Sequence, residues 1–221
     1  MRLRSSLAAR ATTCAAILAS LLAGAPVRAQ GVQRPAGFTV IVDAGARDTV
    51  AHTTMPPGWH MTTGPGALLF DPSFRASGRY TVDAEIFLFP GTSQSGYGIF
   101  AGGQGLDGRA PRYLALLLRR DGQTALEYTR DGTTTALLAW KPTPAVKLLS
   151  GKEEPVLNAL SLSIGSDSIV AAVNGQRIGA APIGNLELGG SFGFRVGPDV
   201  NLHASKLDLL QHLAPVPPAK K

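Results

Sequence analysis

Ser77-Gly78-Arg79-Tyr80-Thr81-Val82-Asp83-Ala84-Glu85-Ile86-Phe87-Leu88-Phe89 alternates apolar and polar residues with a period of two. Tyr80, Val82, Ala84, Ile86 and Leu88 share one parity; Thr81, Asp83 and Glu85 share the other. Successive side chains of a β-strand point to opposite faces, so the first set lines a core and the second faces solvent or a ligand. Carboxylates are rarely buried without a partner, which sets the same orientation. Phe87 and Phe89 carry the parity of Glu85. That predicts either a bulge in the register or a loop over this face.

Working outward, the rest of the chain repeats the pattern in shorter runs. Strands are expected near 38–43, 59–63, 67–71, 79–89, 96–101, 112–120, 123–130, 134–140, 158–165, 168–173, 176–181, 190–196 and 201–210. Asp121-Gly122, Asp131-Gly132 and Asn174-Gly175 sit between such runs. Two-residue hairpin turns of type I′ need positive φ at both positions, which Asn-Gly and Asp-Gly tolerate best. Pro111–Arg120 is rich in Leu and Ala, which favour helix. The adjoining Asp121-Gly122 leaves no room for a helical cap, so the segment reads as a strand. The expected fold class is all-β: an antiparallel two-sheet β-sandwich of jelly-roll type. Lys141–Pro155 is expected to be an exposed loop, and no internal repeat is evident.

The first 29 residues read as a signal peptide. Arg2, Arg4 and Arg10 form a basic start, Ala11–Ala25 an apolar run, and Val27-Arg28-Ala29 a cleavage site before Gln30. The run is short and rich in small residues for a membrane span, which needs about 20 predominantly apolar positions. The organisation expected is therefore 1–29 signal peptide, 30–56 N-terminal segment with the first strand, 57–212 sandwich domain and 213–221 disordered tail. The expected location is secreted or periplasmic, with no stable membrane span after cleavage. The chain carries a formal +6, but four arginines and no acid lie in the first 29 residues, leaving 17 basic against 15 acidic, or +2. Nucleic-acid binding needs a clustered basic face, and the balance gives no sign of one. Cys14 is the only cysteine and leaves with the signal, so the mature domain relies on its apolar core without disulfides or thiolate chemistry.

Three segments resemble the concanavalin A-like lectin/glucanase superfamily in its laminin-G-like jelly-roll form. Ser77–Ile86 is similar to the long strand opening the central sheet. Leu160–Val173 with Asn174-Gly175 and Gln176-Arg177-Ile178 is similar to its "apolar strand, Val-Asn-Gly, polar strand" hairpin. Gly190–Val196 followed by Asn201–Leu210 is similar to the closing strand pair. The resemblance covers most of residues 57–210. It implies a jelly roll with a concave face where many members bind glycans; other members are glycosidases, lyases or ligand-free structural modules, so fold alone does not choose a function.

Several short motifs point to chemistry that their context does not support. Gly103-x-Gly105-x-x-Gly108 matches a dinucleotide loop but precedes Pro111 and a strand, not the helix that would face a pyrophosphate. Gly102–Asp107 matches the start of a calcium-binding nonapeptide, which needs stacked copies where this chain has one. Gly189-Gly190-Ser191-Phe192-Gly193 fits a nucleophile elbow without the helix that should follow. His52, His60, His203 and His212 lack ligand spacing, so no metal and no cofactor are expected.

Asp83 and Glu85 are the sharpest pair. Residues two apart on one strand lie about 7 Å apart, within the roughly 5–9.5 Å at which glycosidase carboxylates work. The laminarinase-type members of the superfamily carry Glu-x-Asp-x-x-Glu on such a strand, and here the third acid is replaced by Leu88. Arg112, Arg119 and Arg195 are the candidate partners if the acids form a solvated, ion-paired face. Trp59, Tyr97, Tyr113, Tyr128 and Trp140 are the aromatics available to stack on a sugar. The ligand-binding candidates are therefore Asp83, Glu85, Trp140, Tyr97 and Arg119, with the Gly-rich loop 102–108 as neighbour and no catalytic residue assigned. The leading expectation is a non-catalytic module, with a glycan or cell-surface polysaccharide as partner. The alternatives are a glycoside hydrolase using the acidic pair on the concave sheet, and a structural domain without small ligand.

Overall fold

The computed structural model describes residues 35–108, 110–151 and 153–213. The segment read as a signal peptide and most of the expected tail lie outside them. No helix among the described residues is long and apolar enough to cross a membrane.

Among the described residues fifteen strands form two antiparallel sheets packed as a sandwich. One sheet runs in the order β1 (Thr39–Val42), β4 (Ala67–Phe70), β14 (Gly190–Val196), β7 (Tyr97–Gln104), β8 (Arg112–Leu118), β9 (Gln123–Arg130), β10 (Thr133–Pro142), with β5 (Arg75–Ala76) beside β14. The other runs β13 (Gln176–Pro182), β12 (Ser168–Val173), β11 (Val156–Ile164), β6 (Tyr80–Leu88), β15 (Asn201–Gln211), β3 (Trp59–Thr62), β2 (Ala51–Thr54). Both β1 and β2 precede residue 57, so the sandwich takes in the described part of the N-terminal segment. The two-residue β5 and the four-residue β2 were outside the expected strands.

β6 occupies the middle of the seven-stranded sheet, paired along its whole length with β11 and β15. Tyr80, Val82, Ala84, Ile86 and Leu88 are buried against the facing sheet's Ile99, Leu114, Leu116 and Leu126 in one core cluster. That is the outcome alternation demands of a strand with one face buried. The β6–β11 register is continuous, and the bulge lies on β15 between Ala204 and Lys206. Phe87 and Phe89 therefore stay on the outer face, half-buried beside His203 and His60, with ring centroids 6.1 and 5.3 Å apart.

Two of the three expected turns have type I′ character: Asp131 and Gly132, and Asn174 and Gly175, all have positive φ. The third differs. Only Gly122 has positive φ, and its N–H donates to the Arg119 carbonyl at 3.0 Å. A turn closing on an αL glycine belongs to the three-residue hairpin class. Pro111–Arg120 is a strand, as β8.

Lys141–Pro155 is not the free loop its composition suggests. Thr143, Ala145 and Val146 are buried. Asn158, fully buried on β11, accepts from the Lys147 N–H at 2.8 Å and donates to its carbonyl at 3.0 Å. Asn174 donates to Asn158 and to the Ala145 carbonyl, each at 2.8 Å. One buried and one half-buried carboxamide thus replace strand pairing as the anchor of this segment.

Candidate functional site

The register places one row of outward residues across the eight-stranded sheet: Ile41, Leu68, Arg195, Gly98 and Leu117. A neighbouring row on β8 and β9 pairs Ala115 with Glu127, and the next pairs Tyr113 with Thr129 and Thr134. Sandwich faces that look away from the partner sheet are ordinarily polar. This one carries a second apolar cluster, in which Leu68, Phe70, Phe100, Leu106, Ala115 and Leu117 are buried and Ile41, Tyr113 and Trp140 half-buried. Leu106 arrives from the turn after β7, so the Gly-rich loop folds over the sheet's outer face. Gly108 N–H closes that turn on the Gly105 carbonyl at 3.0 Å, and β8 follows directly.

Trp140 reaches the face through a register irregularity of β10 between Leu138 and Lys141. Its indole N–H donates to Glu127 Oε1 at 2.8 Å, and the Arg119 guanidinium lies over its ring at 3.9 Å from the centroid. Gly96 packs closely beside it: a Cβ there would stand 3.1 Å from the indole, tighter than ordinary van der Waals contact. Arg195 pairs with Asp43 at 2.7 Å.

Three adjoining clefts follow this face. One of about 250 Å³ is lined by Arg119, Trp140, Glu127, Tyr113 and Arg195. A second, about 460 Å³, shares Tyr113, Thr129, Thr134 and Arg195 with it. A third, about 600 Å³, joins the second at Leu106 and extends to Arg75 and Asp107. A groove with an apolar floor and a few polar groups at its rim is the usual form of a small-ligand site.

The sequence candidates divide between the two sheets. Arg119 and Trp140 meet in the groove. Tyr97 does not: it points inward from β7, 1% exposed, with its hydroxyl bonded to Asn158 and its ionisation pushed up by burial. Parity on β7 shows which residues alternate but not which set faces inward. Asp83 and Glu85 lie on the outer face of the seven-stranded sheet, away from Trp140 and the Gly-rich loop. None of the three arginines pairs with them: Arg112 bonds Glu187 at 2.7 Å, Arg195 bonds Asp43 and Arg119 stacks on Trp140. Asp83 stands opposite Asp208 on β15 and Ser161 on β11. Glu85 accepts from Ser205 at 3.2 Å, and Lys206 pairs with Asp208 at 3.2 Å. The pair is a solvated strand face bordered by β15 groups.

Glu127, Thr129, Thr134 and Asp43 were missed in the sequence. The one local signal was Glu127, a lone acid between the buried Leu126 and Tyr128. Ser191 is buried within β14, and a strand continues after it. Among the described residues no three His, Cys, Asp or Glu side chains converge as metal ligands.

No family model matches the chain, and no curated protein matches it in sequence. Solved structures do match in fold. The carbohydrate-binding module CBM66 from Bacillus subtilis is 12% identical, with TM-score 0.60 over 79% of this chain and 96% of its own. The fold is a concanavalin A-like, galectin-like β-sandwich. A Bacillus subtilis protein of unknown function with a galectin-like fold is 11% identical, TM-score 0.58, covering 79% of this chain and 89% of that one. The Bacteroides ovatus mixed-linkage glucan GH16 protein, in complex with its G4G4G3G product, is 10% identical, TM-score 0.54, covering 78% and 94%. At these identities the likeness is one of fold.

Proposed function

We propose that this chain is a non-catalytic glycan-binding module, acting in the periplasm or outside the cell, whose ligand lies along the groove on the outer face of the eight-stranded sheet. The observation that carries the reading is the Arg119–Trp140–Glu127 constellation at the groove wall. Sugars offer hydroxyls that both donate and accept, and ring faces that are apolar. Arg119 supplies donors, the Glu127 carboxylate supplies acceptors, and Tyr113 adds a half-buried ring on the same face. The stack and the indole bond hold these groups in place before a ligand arrives, which lowers the ordering cost of binding. The carbohydrate-binding and glucan-active proteins that share the fold support the ligand class. The basic, then apolar, then small-residue pattern of residues 1–29 supports the location.

The test is a polysaccharide panel. The mature domain is run through gels or columns containing soluble glycans, and the glycans are assayed for new reducing ends. Retention without release is expected. Arg119→Ala and Glu127→Ala should each weaken retention at least fivefold, while Asp83→Ala with Glu85→Ala should leave it intact. Release of reducing ends that disappears in the double acid variant would establish the hydrolase instead. Absence of retention on every glycan would leave a structural domain.

A further inference from the structure

We infer that the cleft above Ile41, Leu68 and Tyr113 is a subsite for the acyl group of an acylated glycan, an O-acetyl or N-acetyl substituent being the simplest. The inference rests on the glycan-binding reading and adds the chemistry of the ligand.

Leu68, Phe70, Phe100, Ala115 and Leu117 are buried on a sheet face that the sandwich core does not use. Among the described residues, Leu106 from the turn after β7 joins them from above. Beside Leu106 the 460 Å³ cleft is walled by Ile41, Val42, Leu68, Pro111 and Tyr113. Hydroxyl-bearing carbons gain nothing from such a wall, because each hydroxyl placed there gives up hydrogen bonds to water. A methyl group does gain: burying one raises affinity by about fourfold.

Charge narrows the substituent further. Among the described residues that line the cleft, Arg195 and Asp43 carry charge, and they pair with each other at 2.7 Å. A uronate carboxylate would meet Asp43 as well as Arg195. A neutral acyl group puts its methyl on Ile41 and Leu68 and turns its carbonyl oxygen, an acceptor only, toward the rim donors Thr134 and Arg195. Position fits as well. The cleft shares Tyr113, Thr129, Thr134 and Arg195 with the cleft of Arg119 and Trp140. A sugar ring over the latter therefore projects a substituent into the former.

The experiment uses matched probes: native O-acetylated xylan and glucomannan, each before and after mild alkali, and chitotetraose against cellotetraose. Affinities are measured by affinity electrophoresis and calorimetry. The acylated member should bind at least fivefold more tightly in every pair that binds. Ile41→Ser, on the edge strand β1, should bring that ratio toward one, while Asp83→Ala should preserve it. Equal binding of the two members, or preference for the de-acylated one, overturns the acyl subsite. If that happens while Arg119→Ala still weakens binding at least fivefold, the glycan-binding reading survives alone. Binding of a long-chain fatty acid with no glycan retained overturns both.

Discussion

Asn158→Ala is expected to be among the most damaging single polar substitutions in this sandwich. Asn158 is 0% exposed and holds the Lys147 N–H at 2.8 Å, the Lys147 carbonyl at 3.0 Å and Asn174 Nδ2 at 2.8 Å. It also bonds the Tyr97 hydroxyl. Alanine leaves the Tyr97 hydroxyl and both Lys147 backbone groups without this partner, while Asn174 keeps the Ala145 carbonyl. Each unsatisfied buried group costs about 1–3 kcal/mol. Lys147 itself is exposed, so its backbone regains water once the segment loosens. The total is then about 2–4 kcal/mol, chiefly from Tyr97 and the loosened loop. For a domain of this size that lowers the melting midpoint by roughly 5–15 °C. Urea unfolding gives the free energy, and trypsin cleavage after Lys147 reports the loop. Tyr97→Phe, which removes one hydroxyl, should cost about 1 kcal/mol and leave the cleavage rate close to the parent's. An Asn158→Ala protein within 0.5 kcal/mol of the parent, or one whose Lys147 is no more sensitive to trypsin, would refute the idea that these carboxamides anchor the segment; the threshold is roughly that of an ordinary surface substitution.

Three further outcomes are expected. Gly96→Ala drives a Cβ to 3.1 Å from the Trp140 ring, so it should shift the tryptophan emission and weaken glycan retention at a stability cost of about 1–3 kcal/mol; an unchanged spectrum and unchanged retention would count against a seated Trp140. Burial first, and then the neighbouring His203, hold His60 below its usual pKa of 6.5; the unfolded chain therefore binds more protons below about pH 6.5, and stability is lost as pH falls through the folded value. Denaturant melts at pH 7.5 and 5.5 should show a smaller loss for His60→Gln than for the parent, and equal losses would refute the assignment. Mass spectrometry of the protein from its native host should find the N-terminus at Gln30 or within two residues of it, and an intact Met1 would mean an uncleaved anchor.

Much of the architecture was legible because β-structure writes itself locally. The alternation on Tyr80–Leu88 needs only the two-residue period of the pleat, and Asn174-Gly175 needs only its own φ preference. Both could be read without knowing any partner strand. Where the local rule depends on closure geometry it slipped, as at Asp121-Gly122, whose glycine alone takes positive φ. Lys141–Pro155 misled for a related reason. Its polar composition reads as solvent-facing, but its anchors, Asn158 and Asn174, lie on or beyond the next strand.

The candidate site lies at the other limit. Period two separates the outward from the inward set on each strand, but not which outer face two strands share. Asp83 and Trp140 both read as outward, and the fold sets them on different sheets. Arg119, Glu127, Trp140 and Arg195 converge only because β8, β9 and β10 meander side by side and β14 returns to join β7 in the same sheet. By itself the sequence determined strand content, the parity of each face and the absence of cysteine after Cys14, all properties of neighbouring residues. The tertiary structure alone decided that Tyr97 is core, that the acidic pair is isolated from the groove, and that an apolar floor lies outside the sandwich core. Those depend on sheet order and packing between residues far apart in the chain, which short-range periodicity does not encode.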